Sequence, residues 1–127
     1  GSPQMNFIRC RADGLGDGQI RLRFGDEVRA LRTARSSCPE TGTELTLGMR
    51  PEDLDIVDPG LGLPARVDLV EHLGDATIVY AVDELSSTPL ILKSAGLDTE
   101  LGAGARIGVL PRGEAFHLFD GDGRAMR

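Results

Sequence analysis

"DGLGDGQIRLRF" (residues 13–24) is the stretch from which the architecture follows. Ile20, Leu22 and Phe24 alternate with Arg21 and Arg23. A period of two sends apolar side chains to one face and cations to the other, the signature of a half-buried antiparallel strand. The glycine-rich part before it, residues 13–18, reads as a hairpin tip, because glycine takes positive φ without steric cost. The pattern recurs along the chain. In "LTLGM" (45–49), Leu45, Leu47 and Met49 alternate inward. "ARVDLVEHLG" (65–74) and the denser apolar run "ATIVYAV" (76–82) read as a hairpin across Leu73–Ala76, the second strand being central in its sheet. "LILKS" (90–94), "RIGVLP" (106–111) and "EAFHLFD" (114–120) complete the set, the last with Phe116 and Leu118 on one face.

The connections carry turn chemistry. "FGDE" (24–27), "CPETGTE" (38–44), "DELSSTP" (83–89), "GLDTELGAGA" (96–105) and "DGDG" (120–123) are loops or tips. "VRALRTAR" (28–35) fits a strand and a short helix alike. In "RPEDLDI" (50–56), Pro51 suits the first helical position, where its missing N–H costs nothing. Glu52 and Asp53 suit the first turn, where the helix dipole favours anions. One turn of helix is expected there, closed by Asp58-Pro59-Gly60. The outcome is eight to ten short strands at about ten-residue spacing, an all-β antiparallel barrel. A length of 127 residues is one domain, or two small intertwined barrel halves with a break near 59–64.

Composition narrows the function classes. Aromatics are 4% with no Trp, so the core is built from Val, Leu, Ile and Ala. A net charge of −6 opposes general binding to nucleic acid and to anionic membrane surfaces. No apolar run approaches the roughly 18 residues of a membrane span, and the N-terminus lacks a signal-peptide pattern. Cys10 and Cys38 are too few for a disulfide framework, and two idle thiols in a reducing cytosol are favoured over one bridge.

Chemistry-bearing motifs are scarce. Asp13 and Asp17, and Asp120 and Asp122, lack the ligand spacing and closing Glu of a calcium loop; hairpin tips explain them. His72 and His117 have no partner at metal spacing. Ser36, Ser37, Ser86 and Ser87 lie outside any nucleophile motif. No glycine run follows a strand and opens a helix, so no phosphate loop is present. No catalytic, cofactor-binding or metal-ligating residue is assigned.

"GSPQMNF" (1–7), "LTLGMRPEDL" (45–54), "VEHLGDATIVY" (70–80) and "EAFHLFDGDGRAM" (114–126), in that order, resemble a known family. It is the C-terminal regulatory domain, transport-associated and OB-fold-like (TOBE/MOP-like), of ABC importer ATPases of the maltose and glycerol-phosphate type. The resemblance implies OB-fold-like antiparallel barrels with short helical turns. It places Gly1, Ser2, Pro3, Met5 and Asn6 where the chain leaves the ATPase domain, Gly1-Ser2 completing the family's "GSP" pattern. Arg50, Pro51, Glu52, Asp53 and Leu54 fall on the "RPExL" corner, an interface or regulatory element; Met49 stands where the family commonly has Ile. The implied partners are a second copy of the ATPase subunit, the membrane-spanning permease subunits through the parent protein, and a regulatory protein or small effector. ATP and Mg belong to the parent subunit and this stretch holds no cofactor of its own. The implied location is cytoplasmic, at the inner face of the plasma membrane. Segment 25–44 matches nothing in the family pattern.

Two readings follow. The first is a regulatory and dimerisation module of an importer ATPase, monomeric or weakly dimeric when free. The alternative is a small-ligand barrel that binds an oxyanion such as molybdate through Ser36, Ser37, Thr43, Ser86, Ser87, Thr88, Lys93 and Ser94. An enzyme has no residue constellation in its favour.

Overall fold

The computed structural model describes residues 5–95 and 101–126, so the junction residues Gly1, Ser2 and Pro3 lie outside the described residues. The chain folds into two five-stranded antiparallel sheets. The first half contributes β1 (Asn6–Gly16), β2 (Gln19–Phe24), β3 (Glu27–Arg32) and β4 (Glu44–Met49). After a 3-10 turn at Pro51–Asp53 come β5 (Leu54–Val57), β6 (Leu63–Leu73), β7 (Ala76–Asp83), β8 (Pro89–Ala95), β9 (Arg106–Pro111) and β10 (His117–Phe119). One sheet has the order β10-β4-β1-β2-β3 and the other β5-β9-β6-β7-β8. In the second sheet, β5 and the 3-10 turn come back beside β8, which curls that sheet toward closure.

The alternation read from sequence is what the strands use. Ile20, Leu22 and Phe24 are fully buried, as are Leu47 and Met49. The central place expected for residues 76–82 holds, since β7 lies between β6 and β8. The hairpin across Gly74-Asp75 pairs Leu73 with Ala76 as expected.

Three local readings change, and the one open between strand and helix is resolved. The tip at 13–18 shrinks to Asp17-Gly18, whose φ values of 55° and 73° make the tight left-handed turn that suits a twisted hairpin. Asp13 and Gly14 belong to β1, where the register slips between Ala12 and Leu15 and forms a bulge. Residues 28–32 are strand, pairing along β2. Only Pro51–Asp53 is helical; Leu54 and Ile56 are strand, because Arg112 N–H reaches Asp53 O at 2.7 Å and leads β5 into its ladder with β9. The last strand is limited to His117–Phe119, residues 114–116 forming a turn.

The sheets are joined at few but specific places. The chain passes from the first sheet to the second at Arg50–Asp53 and returns through 112–116. The segment 59–64 spans the β5–β6 connection and the start of β6. Gly108 on β9 faces the Asp58 carbonyl and the Pro59 Cα so closely that a Cβ would overlap them, which fixes that connection against the sheet. The Arg29 guanidinium crosses from β3 to Gly62 O at 2.8 Å. Asn6 makes the closest link. Its amide donates to Ile91 O at 2.9 Å and to Met49 O at 3.2 Å, and its oxygen accepts from Ile91 N–H at 2.8 Å. A side-chain amide thereby reproduces one rung of a β-ladder on the free edge of β8, satisfying groups that burial would otherwise orphan.

Candidate functional site

Arg50–Leu54 divides sharply by exposure. Pro51 is buried and Leu54 is 4% exposed, so both serve the core. Arg50 and Glu52 are exposed, Asp53 half-exposed. Among the described residues the Arg50 side chain makes no ion pair or hydrogen bond. The corner is tied down from the other side, by a residue that sequence reasoning did not single out. Arg112, just past β9, donates to Asp55 Oδ1 from Nη2 at 2.8 Å and from Nε at 3.2 Å, and to Glu52 O at 3.4 Å. Its neighbours in sequence gave no hint, because Asp55 lies 57 residues away and meets it only through the β5–β9 ladder.

Glu52 and Arg112 form one wall of a cleft of about 600 Å³, with Asp75, Ala76, Lys93, Ser94 and Ala95 opposite. The cleft opens onto the outward face of β6, β7 and β8. Alternation puts Leu69, Glu71 and Leu73 of β6 outward, with Ile78, Tyr80 and Val82 of β7 and Ile91 and Lys93 of β8. The register arranges them in rows: Leu69–Tyr80–Ile91, Glu71–Ile78–Lys93 and Leu73–Ala76–Ala95. A bulge at Asp68 makes this possible, since the register slips between Val67 and Leu69 and turns Leu69 outward. Leu69 is 53% exposed, Leu73 54% and Ile91 38%, an apolar face of the kind that marks an interaction surface. The Glu71 carboxylate beside the Tyr80 hydroxyl raises that phenol above its ordinary range, by hydrogen bonding first and partial burial second.

Of the hydroxyls considered for an oxyanion, those of Thr43, Ser86 and Thr88 are engaged within the protein. Ser86 and Thr88 close a turn on the fully buried Asp83 carboxylate, which also accepts the N–H groups of Leu85 at 3.3 Å and Ser86 at 3.0 Å. Thr43 donates to Glu40 O at 2.6 Å. Lys93 and Ser94 share their cleft with Glu52 and Asp75. His72 Nδ1 lies 3.3 Å from Thr77 Oγ1, and His117 leans on Phe119 with ring centroids 6.5 Å apart. Both cysteines are free. Among the described residues, no group of three or more His, Cys, Asp and Glu side chains is placed to hold a metal, and no helix is long and apolar enough to cross a membrane.

Comparison with known proteins places this geometry. Residues 1–54 match the MalK OB fold domain and residues 47–119 the TOBE domain, the two matches overlapping on the corner where the chain changes sheet; segment 25–44, which motif comparison leaves unmatched, thus lies inside the family's OB fold domain. The chain is 32% identical over 120 residues to the sn-glycerol-3-phosphate import ATP-binding protein UgpC of Ruegeria pomeroyi, covering 94% of this chain and 31% of that protein. It is 32% identical over 133 residues to the maltose/maltodextrin import ATP-binding protein MalK of Shigella flexneri, covering 100% of this chain and 35% of that one. It is also 32% identical over 133 residues to the lactose transport ATP-binding protein LacK of Rhizobium radiobacter, covering 100% of this chain and 36% of the relative. The chain thus spans about a third of these relatives' length. Among solved structures, the cytoplasmic molybdate-binding protein ModG, with molybdate bound, superposes with a TM-score of 0.65 at 14% identity, covering 89% of this chain and 94% of that one, a likeness of fold. With the TOBE match extending over more than half of its length, the chain belongs to the TOBE domain family, as found in the ATP-binding subunits of sugar and glycerol-phosphate importers.

Proposed function

We propose that this chain is the regulatory and dimerisation module of an importer ATP-binding subunit for a carbohydrate or related solute. In this reading it binds no ATP and no metal itself; ATP and Mg are held by the remainder of the parent subunit. It holds two subunits together through their cycle and biases that cycle when one state is preferentially bound. The parent complex, through its permease subunits, keeps the module at the inner face of the membrane.

The observation that carries the reading is the self-complementary face of β6, β7 and β8. A two-fold axis running along β7 lays β6 of one copy over β8 of the other. Glu71 then faces Lys93 of the second copy, Leu69 faces Ile91, and the large Leu73 faces the small Ala95, with Ile78 and Tyr80 on the axis. Such isologous matching is what a two-fold interface requires. The exposed Glu52 stands at the margin of this face, and Arg50 is held on the same corner. The face is small and curved, so the free module self-associates weakly.

Sedimentation velocity of the purified chain from about 10 µM to about 1 mM tests this. Concentration-dependent dimerisation is expected, abolished by Leu73→Glu or Leu69→Glu and unchanged by Arg50→Ala. A chain that stays monomeric throughout, or a dimer that both Leu variants leave intact, overturns the assignment of this face.

A further inference from the structure

The charge of the molecule is unevenly divided. Residues 1–49 carry seven arginines against six acids, whereas residues 50–127 carry seven cations against fourteen acids. The first sheet therefore presents the less acidic side of an acidic protein, and its outward face is where the arginines gather. Arg9 and Arg11 alternate outward on β1, and Arg23 outward on β2, directly opposite Arg11 in the register. Like charges facing across a strand pair repel, and nothing in the folding of the sheet calls for them.

These three arginines line a cleft of about 520 Å³, closed on its far side by the Asp120–Gly123 turn, with Thr46 between. Two of the guanidiniums are held apart and in place. Arg11 donates to Gly42 O at 2.9 Å and pairs with Glu44 at 3.1 Å. Arg23 lies 3.7 Å from Asp13 and 3.5 Å from Asp26 O. Arg9 makes no side-chain hydrogen bond or ion pair among the described residues. The acids on the rim already have partners. Glu44 faces Arg11, and Asp120 Oδ1 accepts the Asp122 and Arg124 N–H groups within its own turn, each at 2.9 Å. The cleft thus offers one unpaired fork and two further forks in ion pairs open at least in part to solvent, Arg11 with the exposed Glu44 and Arg23 with the half-buried Asp13.

We propose that this cleft binds a small organic phosphate. Arginine forks donate several hydrogen bonds at once to a tetrahedral dianion, which a single carboxylate accepts less well. A bare anion leaves most of 520 Å³ empty, whereas an ester extends its organic body along the cleft toward Thr46 and the glycine turn. The site is separate from the Ser and Thr hydroxyls weighed for molybdate, and it does not depend on the dimerisation face.

Isothermal titration of the purified chain at low ionic strength with glucose 6-phosphate is the test, with inorganic phosphate and citrate in parallel. Saturable binding of the ester is expected, weakened roughly tenfold by Arg9→Ala, the loss of one charge-assisted contact. Arg50→Ala, which removes an equal charge away from the cleft, leaves affinity unchanged. The amide resonances of Thr46, Gly121 and Gly123 shift on titration. Weaker binding of inorganic phosphate supports the use of the whole cleft, and equal binding overturns it. Absence of saturable binding, citrate binding as tightly as the ester, or an Arg50→Ala loss equal to that of Arg9→Ala each overturns the proposal.

Discussion

Cys10 illustrates how a strand's inward position rewrites a side chain's chemistry. It lies 6% exposed among Ile8, Leu45 and Leu47, and burial pushes its thiol up to about 12 from 9.0, against a smaller pull from a backbone hydrogen bond at Leu47. The unfolded chain carries an ordinary thiol. Above pH 9 the unfolded state sheds this proton while the native state keeps it, so stability falls as pH rises. The expected loss from this residue is about 1 kcal/mol between pH 9 and 10. Urea denaturation at both values checks it: Cys10→Ala lowers stability at every pH but removes this part of the slope. An unchanged slope in the variant contradicts the assignment. The alternation that buries Cys10 was open to inspection in "FIRCRA", yet the sequence reading opened its first strand pair at the glycines of 13–18. The bulge at Asp13-Gly14 imitates a turn in composition while remaining strand in geometry.

At the scale of elements, the decisive contact is the seam between β1 and the edge of β8. Asn6 falls at the junction implied by its place in "MNF", and its three hydrogen bonds to Ile91 and Met49 give it a structural task within this chain. Asn6→Ala leaves the Ile91 N–H and C=O without partners in a site only 7% exposed. A loss of about 2–3 kcal/mol is expected, read as a lower urea midpoint at constant m-value. Asn6→Asp keeps the acceptor for Ile91 N–H but turns a carboxylate oxygen toward two carbonyls, and destabilises at least as much. An Asn6→Asp variant as stable as the parent sinks this account. Strand identities were readable because period-two alternation is local. The seam was not, because it joins residues 85 apart in sequence. The same holds for the tie between Arg112 and Asp55, whereas Pro51, Glu52 and Asp53 declared their turn through proline and dipole chemistry alone.

Taken whole, the molecule is two sheets joined by a chain that leaves the first and later returns to it. The first sheet is completed only by β10, which adds to the edge of β4 after the entire second sheet has been laid down. The core runs through both sheets, from Ile8 and Leu22 to Val79 and Val109, with Leu118 of β10 fully inside it. Calorimetry is therefore expected to show one transition, with van't Hoff and calorimetric enthalpies equal. A fragment ending at residue 49 lacks β10 and the Ile91 partner of Asn6, and is expected to show no cooperative melting. Two resolved transitions, or a folded fragment, contradict the shared core. The overall architecture was legible because turn chemistry and strand spacing fix the class. The division of strands between sheets was not, since nothing local distinguishes a corner that stays in a sheet from one that leaves it.

The late return of β10 has a consequence for biosynthesis. A ribosome delivers β4 some seventy residues before its outer neighbour. Throughout that interval the nascent polypeptide displays an open row of amide and carbonyl groups beside Leu45, Leu47 and Met49, a template for pairing with other chains. Conditions that slow translation between codons 50 and 116 should raise the yield of aggregates more than equal delays placed before β4.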